Sequence, residues 1–384
     1  MENRGWKDGA FFEIANITMG QSPNGDTCNN YEGIPLLNGP TEFGIKYPKE
    51  IQYTLDSKRE CKPMDILFCV RGSTTGKMNW ADKKYSIGRG LAAINHKNGH
   101  EYNNFVKGVL DYNLDLLLAS ATGSTFPNIS RNQLENLQIK LPPLTEQKAI
   151  ASVLSSLDDK IELLHKQNQT LEALAETLFR QWFIEEAKED WEEGTVGDLS
   201  IHTKISVHPK KNPDTLYHHY SIPSFDANKK PIVELGADIQ SNKYKVEAKS
   251  ILFSKLNPHK DKRVWLILDD LQDNSICSTE FQVVKPTDDI YLYFIYGCLT
   301  HSAYYNEIAS GVGGTSGSHQ RIDPKSIFNA PCIKIDKQII ADYNVQIAPL
   351  FKKQFSNQQQ IQTLTKLRDT LLPKLMSGEV RVKI

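Results

Sequence analysis

Thr145-Glu146-Gln147-Lys148-Ala149-Ile150 opens a stretch, running on to Phe183, whose spacing decides the fold. Its successive seam positions are Ile150, Leu154, Leu157, Ile161, Leu164, Asn168, Leu171, Ala175, Leu178 and Trp182. The steps alternate between four and three residues, which is a coiled-coil seam. With Ile150 at d, Asn168 falls at an a position, where a polar side chain holds register at some cost in stability. Pro142-Pro143 breaks the chain before the helix; Thr145 can cap it, and Glu146 suits the positive end of its dipole. At ~1.5 Å per residue such a helix is on the order of 60 Å long.

The chain around this helix is built twice. Before it come Gly123-Ser124-Thr125, Asn128-Ile129-Ser130 and Gln133-Leu134; within it lies Thr177-Leu178-Phe179. A similar order returns 193 residues later as Ser316-Gly317-Ser318, Arg321-Ile322-Asp323, Ser326-Ile327 and Thr370-Leu371-Leu372. The expected organisation is a globular unit over 1–143, a helix over 144–186, a second globular unit over 187–335 and a second helix over 336–384. The fold class is α+β: two similar mixed α/β domains and two long helices. Ile66-Leu67-Phe68-Cys69-Val70 reads as a buried strand, with Ile251-Leu252-Phe253 as its counterpart and Val264 to Leu268 as another. Tyr102 to Leu118 and Tyr291 to Tyr305 each read as a helix. In the last helix Ile361, Leu364 and Leu371 carry a weaker seam, Pro349 should kink it or delay its start, and Ser377-Gly378 ends it. Side-by-side antiparallel pairing would bring Asn168 near Ile361 and Gln358-Gln359-Gln360.

The chain has 384 residues, 24% of them charged and 39% hydrophobic, as in a soluble globular protein. It has no long apolar run and no apolar core near its start, so neither a membrane span nor a signal peptide is expected. Six cysteines without a CxxC pair read as reduced, buried thiols in a cytoplasmic protein. The net charge is −1, but Lys204 to Arg263 holds twelve basic against six acidic residues, and Thr145 to Glu193 holds five against twelve.

Catalytic signatures are missing. There is no GxxxxGK[ST] loop, and Gly311-Val312-Gly313-Gly314 lacks dinucleotide-loop spacing. Asp214 with Glu247 and Lys249 is a chance match to a metal-nuclease pattern. His96 with His100, and His218 with His219, lack the geometry of metal ligands. No Asn-Pro-Pro-aromatic motif for amine methylation occurs. What remains points to binding. Arg71-Gly72-Ser73-Thr74-Thr75-Gly76-Lys77 follows a buried strand and combines cations, hydroxyls and glycines able to approach phosphate. Arg71, Ser73, Thr74, Lys77 and Arg89 are the candidates in the first unit. Lys255, Asn257, Lys260, Lys262, Arg263, His319, Gln320 and Arg321 are those in the second.

Several stretches resemble the specificity subunit of type I restriction-modification enzymes. They are Thr122 to Ser130, Leu137 to Pro143, Thr145-Glu146-Gln147, Leu157 to Glu162, Leu178 to Phe183, Leu367 to Gly378 and the Arg71 to Lys77 loop. The resemblance implies two target-recognition domains, each reading half of a bipartite double-stranded DNA site. It implies helices that pair as an antiparallel coiled coil, set the spacing and dock two methyltransferase subunits. The chain itself would be non-catalytic and bind no cofactor. Partner subunits would bring S-adenosylmethionine, ATP and magnesium, adenine-N6 methylation and, with two restriction subunits, DNA cleavage. A fused nuclease-methyltransferase partner, and a coiled-coil scaffold that binds no DNA, are the alternatives. The second unit departs from the pattern at Ser316 to Arg321 and at Cys332 to Ile335, so its helix interface is expected to be less symmetric.

Overall fold

The computed structural model describes residues 5–121, 127–310, 312–313 and 320–383. The Gly123-Ser124-Thr125 and Ser316-Gly317-Ser318 segments of the repeat lie outside the described residues. The chain divides into two compact units, Met1–Lys166 with Asn357–Ile384, and Gln167–Ser356. Each unit therefore takes part of both long helices.

In the first unit a four-stranded antiparallel sheet runs in the order Ala15–Met19, Leu91–His96, Ile66–Cys69, Met78–Trp80. Successive side chains on a strand point to opposite faces. Ile66 and Phe68 accordingly enter one core with Ile94, Phe105, Val109, Ile150 and Leu154. Leu67 and Cys69 enter another, with Leu37, Tyr85, Ile87 and Ala93. An unbroken apolar run is what a strand covered on both sides requires. The second core is closed by a five-stranded sheet in which Ile34–Leu37 runs parallel to Tyr85–Ile87.

The second unit repeats the first sheet in the same order: Ser200–Thr203, Phe281–Pro286, Ser250–Ser254, Val264–Ile267. Ile251 and Phe253 face one core, and Leu252 faces the other. The five-stranded sheets share a central parallel pair, here Leu216–Tyr220 with Ser275–Cys277. They differ at their edges. The short first strand pairs with Gln52–Thr54, beside the first member of the parallel pair, in the first unit. In the second it pairs with Lys243–Lys245, beside the later member.

Each helix expected after the sheet is split in two. Asn103–Tyr112 and Leu114–Ser120 are separated at Asn113, whose side-chain amide donates to the Val109 carbonyl at 2.8 Å. Leu292–Thr300 and Ser302–Ser310 are separated at His301, whose backbone turns extended. The repeated Ile-containing motif proves to be a helix start. Ile129 and Ile322 are buried, while Ser130 and Asp323 cap the helices Arg131–Glu135 and Pro324–Phe328. All six cysteines are free; five are buried and Cys28 is half-exposed.

The central helix spans Leu144–Arg180 and starts one residue before Thr145, which is therefore not its cap. Glu146 is 2% exposed; it accepts from the Trp6 indole at 3.0 Å and pairs with Arg381, a tie that dipole reasoning missed. The C-terminal helix spans Lys337–Ser377 without a break, so Pro349 does not delay its start. Val345, whose carbonyl loses its intrahelical donor at Pro349, is 75% exposed, leaving water to replace it. Gly378, with φ +77°, ends the helix, and Val380 N–H donates to the Lys374 carbonyl at 3.1 Å.

Leu154, Leu164 and Ile361 of the seam are buried; Leu157, Ile161, Asn168, Leu171, Leu178, Leu364 and Leu371 are half-buried. Ala175 of the seam enters the core of the second unit with Phe294, Ile340, Tyr343 and Ile347; Phe179 and Phe183, beside the seam and missed by its spacing, enter it too. Inside the first unit Arg368 donates to Asp158 at 3.1 Å. Inside the second, the Gln354 amide donates to the Asn168 carbonyl at 3.0 Å.

The first unit ties the start of the central helix to its sheet through His96. The Asn98 N–H donates to His96 Nδ1 at 3.0 Å, so the ring proton sits on Nε2 and faces Gln147 Oε1, also at 3.0 Å. Burial pushes this imidazole below its ordinary value of 6.5, against the opposing pull of Gln147. A depressed folded value means that the stabilisation is complete above the unfolded value and is lost as pH falls through the window below about 6.5. The thermal midpoint should fall on acidification through that window, and His96→Gln should flatten part of the fall; an identical pH profile in the variant would refute the role.

Candidate nucleic-acid interface

Loops that leave a rigid strand and are pinned at their base can hold exposed side chains for a ligand. In the first unit the strand Ile66–Cys69 turns through Arg71 to Lys77 and returns as Met78–Trp80. The turn is closed by Gly76 N–H donating to the Cys69 carbonyl at 2.8 Å and Lys77 N–H to the Thr74 carbonyl at 3.1 Å. Gly72 and Gly76 have φ of +98° and +92°, a region that favours glycine. A Cβ at Gly76 would also lie 2.6 Å from the Leu114 side chain.

A second segment latches this loop. Ile129 N–H donates to the Val70 carbonyl at 2.9 Å, and Arg71 bridges Asn128. The Thr75 hydroxyl donates to Pro127 at 2.9 Å, so Thr75 is a structural clamp. Thr74 is half-buried, its hydroxyl 3.7 Å from the Cys69 thiol. Arg71, Ser73 and Lys77 are exposed, and no carboxylate among the described residues pairs with Arg71 or Lys77. Arg89 is also exposed; its backbone N–H donates to the Ser22 hydroxyl at 3.3 Å. The flanking Gly88 and Gly90 pass so close to Asn38 that a Cβ would lie 2.7 Å and 2.4 Å from it.

The second unit repeats the latch. Ile322 N–H donates to the Lys255 carbonyl at 3.1 Å, and Leu256 bridges Arg321. Its charged side chains are used differently. Asn257 sits at φ +47° and exchanges hydrogen bonds with Gln320, accepting the Gln320 N–H on Oδ1 at 2.9 Å and donating its own N–H to the Gln320 carbonyl at 2.8 Å. At these atoms Asn257 and the Gln320 backbone brace the loop. Arg263 has a side chain only 11% exposed; it donates to both oxygens of Asp226 at 2.6 and 2.8 Å and pairs with Asp261 at 2.9 Å. Those carboxylates hold its guanidinium above the usual range.

Arg321 is gripped by Glu280, which raises its pKa. Lys262 donates to the Thr300 carbonyl at 2.6 Å. Lys255 is half-buried and Lys260 exposed. His319 lies outside the described residues. Spacing could not reveal these carboxylate partners, because Asp226 and Glu280 come from other elements. Among the described residues no three His, Cys, Asp or Glu side chains converge to hold a metal, and no helix is long and apolar enough to cross a membrane.

Residues 3–173 match the family model of the type I restriction modification DNA specificity domain. The chain is 40% identical over 157 residues to a putative type I restriction enzyme MjaX specificity subunit of Methanocaldococcus jannaschii, covering 41% of this chain and 37% of that protein. It thus spans well under half the length of that relative. It is 29% identical over 390 residues to the MjaIX specificity subunit of the same organism, covering 92% of this chain and 85% of that one. In fold it is similar to the S subunit of the type I restriction-modification system from M. genitalium, with a TM-score of 0.62 at 18% identity over 98% and 97% of the two chains.

The different engagement of the two cations on the second loop is testable. Arg263→Ala should lower stability by about 1 kcal/mol, since it removes the charge-assisted bonds of a largely buried guanidinium to Asp226 and Asp261, whereas Lys255→Ala should change the denaturation midpoint little. Equal effects of the two substitutions would reverse this assignment.

Proposed function

We propose that the chain belongs to the type I restriction-modification specificity-subunit family and is the non-catalytic DNA-recognition subunit of such an enzyme, with each unit reading one half of a bipartite site. The observation that carries this reading is the duplicated, latched loop: Val70-Arg71 held by Asn128-Ile129, and Lys255-Leu256 held by Arg321-Ile322. Arg71, Ser73, Lys77 and Arg89 form the expected contact set of the first unit. Lys255 and Lys260 are the corresponding cations of the second, while Arg263, Asn257 and Gln320 shape the loop that carries them. Cations on a pinned loop suit phosphate contacts that set register on a duplex, and guanidinium groups also suit the O6 and N7 acceptors of guanine.

In this reading the domains are 1–143 and 187–335, and the two helices are spacers that pair antiparallel. The Asp158–Arg368 pair in one unit and the Trp182–Tyr343 ring contact, with centroids 6.0 Å apart, in the other support that sense of pairing. The helices also carry the docking surface for two methyltransferase subunits, which bring S-adenosylmethionine and methylate adenine; restriction subunits add ATP-dependent cleavage. Six free thiols fit a reducing cytoplasmic setting.

With the methyltransferase-bound complex on its cognate site, Arg71→Ala and Lys77→Ala should each weaken binding. Each should also lower the slope of log affinity against log salt by about one unit if the contact is to phosphate. Unchanged affinity and slope in both variants would remove this loop from the interface. Inserting a matched heptad into both helices should lengthen the gap between the methylated half-sites and leave each half-site as it was. Mapping methylated adenines in cells carrying the insertion measures this, and altered half-sites at an unchanged gap would refute the spacer role.

A further inference from the structure

The two units contain equivalent sites that have diverged in chemistry. In the first, Asn104, Lys107, Gly108 and Asp111 on one helix meet Leu154, Asp158, Arg368 and Leu372, leaving a crevice of only about 10 Å³. Arg368 closes it, donating to Asp158 at 3.1 Å and to Asp369 at 3.0 and 2.8 Å. Burial opposes the charge, but these carboxylates outweigh it and hold the guanidinium above its ordinary value.

In the second unit the matching helix positions, 189 residues later, are Tyr293, Tyr296, Gly297 and Thr300. On the long helices, which begin at Leu144 and Lys337 and so repeat at 193, Asp158 corresponds to Phe351, Arg368 to Ala175, Asp369 to Glu176 and Leu372 to Phe179. The glycines confirm the match: a Cβ at Gly108 would touch Leu372, and one at Gly297 would touch Phe179. These positions, together with Glu172, Lys229, Lys262 and His301, line an open cavity of about 220 Å³.

The internal arginine is therefore gone, and one of its two carboxylate positions is kept as Glu176. Aromatic rings stand in place of Asn104, Lys107 and Asp158, and Thr300 in place of Asp111. Tyr293 lies parallel to Phe351 with centroids 5.3 Å apart, and Tyr296 meets Phe351 edge-on at 5.2 Å. Neither tyrosine hydroxyl has a hydrogen-bond partner among the described residues. The cations at the cavity are already engaged: Lys229 with Glu172 at 3.6 Å, and Lys262 with the Thr300 carbonyl. Glu176 has no ion pair among the described residues.

We propose that this cavity receives a guanidinium group, delivered as an arginine side chain of a partner protein. It supplies what Arg368 finds within its own chain: space left by Ala175, a carboxylate at Glu176 and, in place of Asp158, an aromatic surface. A planar, weakly hydrated guanidinium stacks on aromatic faces while donating to a carboxylate and to hydroxyl oxygens. The compact, strongly hydrated ammonium of lysine suits the site less well. The inference does not depend on DNA recognition, so failure of either leaves the other standing.

The test is a titration of the full chain with N-acetyl-arginine methylamide, read by saturation-transfer NMR, with the neutral citrulline and the lysine analogues as comparisons. Saturable binding of the arginine probe is expected, with the citrulline and lysine analogues weaker, the citrulline one by about tenfold or more. Glu176→Gln should weaken the arginine probe by about tenfold. Ala175→Arg should abolish binding by filling the cavity from within, as Arg368 does in the first unit. If that variant fails to fold, Glu176→Gln and the citrulline comparison still decide. No saturable binding to the full chain, equal binding of the citrulline analogue, or unchanged binding in Glu176→Gln would overturn the proposal.

Discussion

Burial of one strand on both of its faces is the constraint from which each unit is built. Ile66 to Cys69 and Ser250 to Ser254 are fully buried, so alternate side chains must find apolar cover on opposite sides. One side is covered by helices, including turns of the two long ones: Ile150, Leu154 and Leu375 in the first unit, Phe179, Tyr343 and Ile347 in the second. The other side is covered by the five-stranded sheet. The long helices are therefore part of each core as well as carriers of a seam. A strand held so firmly also gives the loop that follows it a fixed origin.

That loop shows how stability and binding divide the available charges. In the first unit the clamping is done by backbone groups and the Thr75 hydroxyl, which leaves Arg71 and Lys77 at the surface. In the second, Asn257, Arg263 and Arg321 are drawn into hydrogen bonds and ion pairs that shape the loop. A charged side chain whose partners are fixed inside its own unit gains less from an outside phosphate, because it must first give up those partners. Two loops on one framework thus present different surfaces.

Duplication explains the framework, and divergence at particular residues explains the differences. The four-stranded sheets keep the same strand order, whereas the first strand of the five-stranded sheet joins opposite edges of the same central arrangement. The sites beside Gly108 and Gly297 diverged by a few side chains: Arg368 with Asp158 seals one, and Ala175 with Phe351 opens the other. Neither change disturbs the strands on which the double-sided burial depends.

Much of this was legible in the sequence, because periodicity and repetition are local properties of a chain. The four-three seam from Ile150 to Trp182 announced a long helix, and the shared Ile129 and Ile322 motifs announced a repeat. The runs Ile66 to Val70 and Ile251 to Phe253 announced buried strands. The resemblance in the central and C-terminal helices pointed to the family. Other features were decided only when distant segments met. Asp226 and Glu280 immobilise Arg263 and Arg321 from elements that no spacing rule connects to them. Phe179 and Phe183 lie beside the expected seam and are buried because the second unit packs there. Pro349 sits within a continuous helix where a local rule expects a kink or a late start. Local pattern determines which elements form and which face of each is apolar. Which polar groups stay available for a partner depends on what tertiary contact places within hydrogen-bond reach, and that distance is not written in the order of the residues.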